Sequence, residues 1–464
     1  MSSSSGSPFP SDKATEPYWR STTLPIDTCR STPDLPPCAD IVIIGAGYCG
    51  ASIAHHLLAE IARQGIADPS IVILEARQAC SGATGRNGGH LKPDPYLRAA
   101  QVLGTHGKSV AEHVAVFEAR QVQELKELVE ECGIDCDFEE TMVTDVCLGD
   151  EISDKMAQAL ERTVAAGVST ALAAQHDAGP EAERISGVRG AKSCLKYKAA
   201  RLWPYRLVCH MLEACVSRGV NLQTMTPVTS VSTCDDGVRS IVATPRGSIT
   251  TSIVIHATNG YSSALLPELR DKVVPVRGIC ARLTGPAPHP PIADSHMLRI
   301  NDSEYDYLLP RPDGSIIVGG GRRDYFHDLA SWFNVSDDGS LIEEACHYFD
   351  GYMQRHFIGW EDADIRTDQI WTGIMGYSSD GFPYIGAVPA RPGTYVCAGF
   401  TGHGMPQIFN SAKYISLLVL NGTVDAQHTV PLPYQINPER WDSTREHSSL
   451  TLWRSVMVSR GSRD

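Results

Sequence analysis

Residues Asp40-Ile41-Val42-Ile43-Ile44-Gly45-Ala46-Gly47-Tyr48-Cys49-Gly50 carry an apolar run directly into a Gly-x-Gly-x-x-Gly turn, and a second apolar run, Ile71-Val72-Ile73-Leu74, ends on Glu75. The first run is short, wholly apolar and rich in β-branched residues, the composition of a parallel strand covered on both faces. Gly45 permits the tight turn, Gly47 admits backbone amides to a pyrophosphate, and Gly50 lets the next helix pack closely on the strand. Ala46, Tyr48 and Cys49 complete the turn, and the helix starting there offers its N-terminus to an anion. Ile53, Leu57 and Ile61, with Ala54 and Leu58, recur at helical spacing and give that helix a buried stripe ending near Gln64-Gly65. Glu75 arrives where a carboxylate accepts hydrogen bonds from both ribose hydroxyls, which disfavours a 2′-phosphate and therefore NADP. The stretch from Gly50 to Glu75 exceeds the roughly 20 residues usual for this fingerprint. The polar turn Gly65-Ile66-Ala67-Asp68-Pro69 takes up the excess. Strand, helix, strand and acid in that order predict a dinucleotide-binding α/β fold.

The segment after Glu75 separates FAD from NAD. Ala76-Arg77 leads to Cys80-Ser81-Gly82-Ala83-Thr84-Gly85-Arg86-Asn87-Gly88-Gly89-His90, too rich in glycine and small polar residues for a core element. Such a loop wraps the pyrophosphate and ring of a flavin with amides and hydroxyls, whereas a nicotinamide-binding half would continue into another βα unit. Ser81, Thr84, Gly88 and Gly89 join the turn residues as candidate cofactor contacts. Near the other end, Tyr395-Val396-Cys397-Ala398 reads as a strand, Gly399-Phe400-Thr401-Gly402-His403-Gly404-Met405 as a glycine-rich turn, and Pro406 as the first residue of a helix. Ile408, Ala412, Ile415 and Val419 give this helix an apolar stripe, and its unpaired amides form a second anion-stabilising pole.

The order of motifs along residues 38 to 440 resembles the FAD-dependent D-amino acid oxidase superfamily, in its glycine, sarcosine and γ-glutamylputrescine oxidase branch. Beyond the segments above, the resemblance rests on Trp203-Pro204-Tyr205-Arg206-Leu207, Thr226-Pro227-Val228, His256-Ala257-Thr258-Asn259-Gly260-Tyr261 and Pro275-Val276-Arg277-Gly278. Trp371-Thr372-Gly373 and Asp380-Gly381-Phe382-Pro383-Tyr384-Ile385-Gly386 extend it. It implies a Rossmann-like FAD-binding domain of glutathione reductase type with an inserted antiparallel-sheet substrate domain. It further implies oxidation of a C–N bond in an amine or amino acid to an imine, with O2 as acceptor and H2O2 as product. On the same basis Arg86 and Asn87 are flavin neighbours, the arginine raising the flavin potential by its charge. Val228, Ala257, Thr258, Trp371, Gly373, Asp380, Gly399, Gly402, Gly404 and Met405 are cofactor contacts, the last near the flavin N1–C2=O edge. The chain departs from the branch in one respect. Monomeric sarcosine oxidases tether the flavin through a cysteine just before the position of Asp380, but Trp371-Thr372-Gly373-Ile374-Met375-Gly376-Tyr377 holds none. Non-covalent FAD is expected.

Length and composition agree. A chain of 464 residues exceeds one ordinary domain. A formal net charge of −14 without a basic run argues against nucleic-acid or anionic-membrane partners. No stretch reaches the roughly 20 apolar residues of a membrane span, and the start lacks the pattern of a signal peptide. Fourteen cysteines without a Cys-x-x-Cys pair suggest neither zinc nor a disulfide framework, but reduced thiols in a cytoplasm. The chain divides into a loose Ser/Pro-rich arm at 1–37 and an FAD domain at 38–272 and 366–440, with a helical excursion over about 100–190. A substrate domain at 273–365 and a tail at 441–464 complete it. In the substrate domain Tyr305 to Gly320 reads as a hairpin turning at Pro312-Asp313-Gly314, with Tyr305 and Tyr307 on one face.

Amine oxidation relies mainly on positioning the amine C–H at the flavin, and no nucleophile arrangement is required. The candidates for the chemistry are His403, between two glycines, and Tyr305 and Tyr307, with His90 more open. Arg277 and Arg311 are candidate clamps for a substrate carboxylate, whose geometry a guanidinium fork matches. The partners expected are a small amine and O2. The rival readings are a same-fold flavin dehydrogenase with another electron acceptor and an FAD-binding interaction protein without turnover.

Overall fold

Strand β1 (Cys38–Ile44) lies within the first sheet because Ile41 to Ile44 present apolar side chains to both faces, and all four are buried. It pairs in parallel with β2 (Ile71–Leu74), Ile41 opposite Ile71, and on its other side with the Gly247–His256 strand. The sheet continues past β2 to Asn221–Gln223, and past Gly247–His256 to Thr394–Ala398 and Tyr384–Ala387. Helix α1 (Tyr48–Gln64) ends on Gly65, whose φ of 65° forms a left-handed cap. The helices Pro204–Ser217 and Ile408–Asn421 pack against it. This computed structural model describes residues 8–286 and 290–461.

The second sheet runs Arg366–Ser378, Val273–Thr284, Ile316–Gly319, Tyr305–Pro310, Ser295–Arg299, Glu139–Cys147, Ser193–Arg201 and His90–Leu91. It curls, so that its last strand approaches the fourth. His90 Nε2 lies 3.2 Å from the Leu308 carbonyl, four strands away in the order. The expected hairpin forms, Leu309 opposite Ile317, with Gly314 in the turn at φ 79°.

The sheet departs from the domain division read from sequence. The strands Glu139–Cys147 and Ser193–Arg201 flank the helical excursion yet belong to this second sheet, and Arg366–Ser378 supplies its outermost strand. Long-range pairing decides membership, and no local signal carries it. The arm is also not loose within residues 8–37, while residues 1–7 lie outside the described ones. Trp19 is wholly buried, its indole donating to the Asn87 carbonyl, and Trp203 donates to the Trp19 carbonyl at 2.7 Å. Aromatic side chains bury on the order of 150–250 Å² each, enough to anchor a segment whose composition is otherwise that of a linker. At the other end the Ser448–Gly461 helix follows His447, whose Nε2 meets the Tyr377 carbonyl at 3.1 Å.

Candidate active site

The glycine turn has the close contacts its sequence requires. Gly45 adopts φ 111°, and a Cβ there would stand 2.7 Å from the Ala257 carbonyl oxygen. At Gly50 a Cβ would fall 1.9 Å from the Gly45 oxygen, so the helix could not approach the strand. The N-cap of α1 is Gly47, which has no side chain to cap the helix, so first-turn amides beyond Tyr48 are left for an anion. The Tyr48 amide donates to Thr84 Oγ1 at 3.1 Å, tying the later loop to the turn. Glu75 receives the Ala46 amide on Oε2 at 2.8 Å and the Arg77 amide on Oε1 at 3.0 Å. Each oxygen keeps acceptor capacity for a ribose hydroxyl. Ser81 Oγ is buried without a partner among the described residues, and its carbonyl accepts from Arg86 Nε at 2.8 Å. Val228 packs in the same small core as Val42 and Val72, while Thr258 Oγ1 meets Ser262 Oγ at 2.8 Å.

A cavity of about 400 Å³ is lined by Thr84, Asn87, Gly88, Gly373, Gly402, His403, Gly404 and Met405 together with Tyr305, Tyr307, Arg322 and Tyr377. Tyr307 fits between Gly88 and Gly319, where added Cβ atoms would come within 2.4 and 2.2 Å of its ring. Its hydroxyl meets Cys280 Sγ at 3.3 Å, and burial pushes that thiol up to about 11. His403 Nε2 bonds Glu118 Oε2 at 2.9 Å, and Glu118 also accepts from Gln407 and from the Tyr434 hydroxyl. Burial alone would raise the Glu118 carboxyl, but His403, Arg98 and Gln407 hold it at about 2. An ionised carboxylate therefore orients the His403 ring. His90 also lines the cavity; burial and the nearby Lys92 bring its imidazole down to about 3, so it stays neutral.

Arg322 leaves the end of the Ile316–Gly319 strand and enters the cavity wall, its guanidinium carbon 5.3 Å from the Tyr305 ring centroid. Burial opposes its charge, yet Tyr305, Tyr377 and Tyr325 raise its pKa. Among the described residues no carboxylate pairs with it. Burial would raise the Tyr305 phenol, but Arg322 and a hydrogen bond with Tyr377 make it more acidic than an ordinary tyrosine.

Several sequence candidates fall elsewhere. Arg311 is buried against Trp19 and Trp203 and paired with Asp137 at 2.5 Å, outside the cavity wall. Arg277 touches the cavity, but its guanidinium is turned to the Ser331 carbonyl and Ser340 Oγ at 2.8 and 2.9 Å. Arg86 borders the cavity, while its charge points to Thr15, the Thr372 carbonyl and Asp338 on the far side of the loop. Asp380 is spent on Arg440 at 2.6 Å, and Trp371 supports the loop from behind by donating to the Arg86 carbonyl at 2.9 Å. Cys49 turns its thiol to the Cys397 carbonyl at 3.4 Å. Pro406 precedes the Ile408–Asn421 helix, and the backbone reaches it through a turn in which the Gln407 and Ile408 amides both donate to Gly404.

The comparisons with known proteins agree with this geometry. Residues 40–418 match the family of FAD-dependent oxidoreductases called DAO, and the chain belongs to that family. It is similar to γ-glutamylputrescine oxidoreductase of Escherichia coli strain K12, at 25% identity over 389 residues, 82% of this chain and 83% of that protein. It is also similar to glycine oxidase of Geobacillus kaustophilus, at 21% identity over 370 residues, 79% of this chain and 89% of that protein. The solved structure of the latter superposes with a TM-score of 0.67 at 19% identity, covering 87% of this chain and 99% of that one. L-proline dehydrogenase from P. horikoshii superposes with a TM-score of 0.65 at 20% identity, covering 84% and 96%. The chain is thus an FAD-dependent oxidoreductase of mixed α/β fold, and its own residues fit the cofactor. The first-turn amides of α1 and the Glu75 carboxylate suit the pyrophosphate and ribose, and the glycines in the cavity lining suit a planar ring. No helix among the described residues is long and apolar enough to cross a membrane.

Sequence reasoning missed Arg322, Glu118 and Lys92. Arg322 follows Gly319-Gly320-Gly321, and Gly320 and Gly321 both have positive φ, so the triplet marks a bend that aims the next side chain. Glu118 shares a helical stripe with Val114, Gln121 and Leu125, all buried, and an acid on such a stripe is the signal that could have found it.

Proposed function

We propose that this protein oxidises the C–N bond of a small, carboxylate-bearing amine or amino acid to an imine, in the cytoplasm, with dioxygen as the electron acceptor and hydrogen peroxide as a product. The observation that carries the reading is Arg322, a cation in the wall of a 400 Å³ cavity, paired with no carboxylate among the described residues. A guanidinium so placed binds a substrate carboxylate through charge-assisted hydrogen bonds. Relatives named for an amino acid and for an amine support this class. Bound FAD would supply the two-electron acceptor to which hydride from the carbon beside nitrogen passes as the C=N bond forms. The chain supplies position. Arg322 and the phenols of Tyr305 and Tyr377 hold the acid, and the curled sheet keeps water from the reacting carbon. The Glu118 contact at His403 Nε2 leaves Nδ1 to take up the proton released from the amine nitrogen.

Aerobic turnover of such amines, with the carbonyl product trapped and the peroxide counted, tests the reading. One peroxide per carbonyl is expected, and Arg322→Met should raise KM by at least tenfold while the protein stays yellow. Carbonyl without peroxide would transfer the electrons to another acceptor, and an unchanged KM in the variant would remove Arg322 from substrate binding.

A further inference from the structure

The cavity holds more positive charge than one carboxylate neutralises. Three of its lining cations have acidic partners within the chain: Arg86 with Asp338 at 3.2 Å, Arg98 with Glu118 at 3.7 Å, and Arg299 with Asp145 at 2.7 Å. Arg277 is turned to neutral oxygens of Ser331 and Ser340. Two remain. Arg322 is one, and Lys92 is the other; its ammonium donates to the neutral Tyr197 hydroxyl at 3.1 Å and forms no ion pair among the described residues. Among those residues Asp94 is the only carboxylate of the lining, and its Oδ1 is engaged by the amides of Tyr96 and Leu97 at 3.1 and 2.8 Å.

Both cations bear on Tyr305. Arg322 stacks over its ring, and Lys92, two residues beyond His90, shares the lining of the same cavity. His90 and Lys92 alternate with the buried Leu91, so both present their side chains to the cavity while Leu91 enters the core. Burial weakens the Lys92 ammonium, with Asp145 opposing, and Lys92 in turn is among the charges that acidify Tyr305. Two half-buried cations with no ion-pair partner among the described residues are costly, and a ligand that brings two negative charges offsets that cost at both.

We propose, building on the amine-oxidising reading, that the substrate is a dianionic amine, a secondary amine or amino acid with two carboxylates, one held by Arg322 and the other by Lys92. Its nitrogen then lies between the two anchors. Lys92 is thereby a specificity-determining residue that selects diacids over monoacids.

Redox-inert acids test this by binding alone. Thiodiacetate, with sulfur in place of the amine, and (methylthio)acetate, its monoacid counterpart, are titrated calorimetrically into the yellow holoenzyme and into its Lys92→Met and Lys92→Gln variants. The diacid should bind wild type at least tenfold more tightly than the monoacid, and both variants should bring it to the monoacid's affinity. Equal affinities in wild type, or a preference that persists in the variants, would overturn the inference and leave the Arg322 reading standing. Binding of neither acid, in a protein whose flavin is reduced by amines lacking carboxylates, would overturn both. The wild-type comparison decides even if a variant fails to fold.

Discussion

Replacing Asp306 by asparagine should change the pH dependence of stability in a calculable way. Asp306 lies between Tyr305 and Tyr307 but points to the opposite face of the sheet, fully buried against Tyr348 and Tyr352. Its Oδ1 accepts the Gly321 amide at 3.0 Å, and a Cβ on Gly320 would stand 2.0 Å from that oxygen, so the turn that aims Arg322 is built on this carboxyl. Burial pushes the carboxyl up from 3.8 to about 6, against the pull of Tyr348, Gly321 and Tyr352. Between those two values the folded chain keeps a proton that the unfolded chain has lost. Stability therefore falls as the pH rises from about 4 to 6 and then levels off, by ~3 kcal/mol in all. Asparagine does not titrate. Urea unfolding of holoprotein, followed by tryptophan fluorescence across this range, should show D306N gaining on wild type by that amount as pH rises. A difference that stays flat, or that slopes the other way, would refute the assignment of a buried, protonated Asp306.

Close contacts and thiol placement set two further outcomes. Gly50→Ala should yield a folded but colourless protein, because its Cβ would stand 1.9 Å from the Gly45 oxygen and force α1 off the strand; flavin retained at wild-type occupancy in an absorption spectrum would contradict the helix-terminus assignment. Acid precipitation should release all the flavin to the supernatant, since Cys280 is a buried thiol held protonated up to about 11 and Cys49 points to a backbone carbonyl. Colour that stays with the pellet would show a covalent link.

The sequence exposed the cofactor half of the site because that half is local. Gly45, Gly47 and Gly50 are set by contacts within one strand–turn–helix unit, and Glu75 closes the next strand, so spacing alone places them. The substrate half was hidden because it is assembled from distant strands. Tyr305 and Tyr307 were legible from alternation, but nothing local says that His90 folds over the Leu308 carbonyl or that Glu118 orients His403 across 285 residues of chain. Arginines misled for the same reason. Arg277, Arg311 and Arg322 look alike in sequence; Asp137 claims Arg311, Ser331 and Ser340 take Arg277, and Arg322 lines the cavity with no acid paired to it among the described residues. The arm was misjudged on composition, where Tyr18 and Trp19 outweigh the serines and prolines around them.

Anaerobic addition of carboxylate-bearing amines to the purified protein, with the long-wavelength flavin band recorded, tests C–N oxidation at this site most directly. The expected result is a yellow protein whose band bleaches fully with the right amine and returns when air is admitted. A protein that takes up FAD but is bleached by no amine, while an alcohol or other nitrogen-free reductant bleaches it, would contradict the assignment.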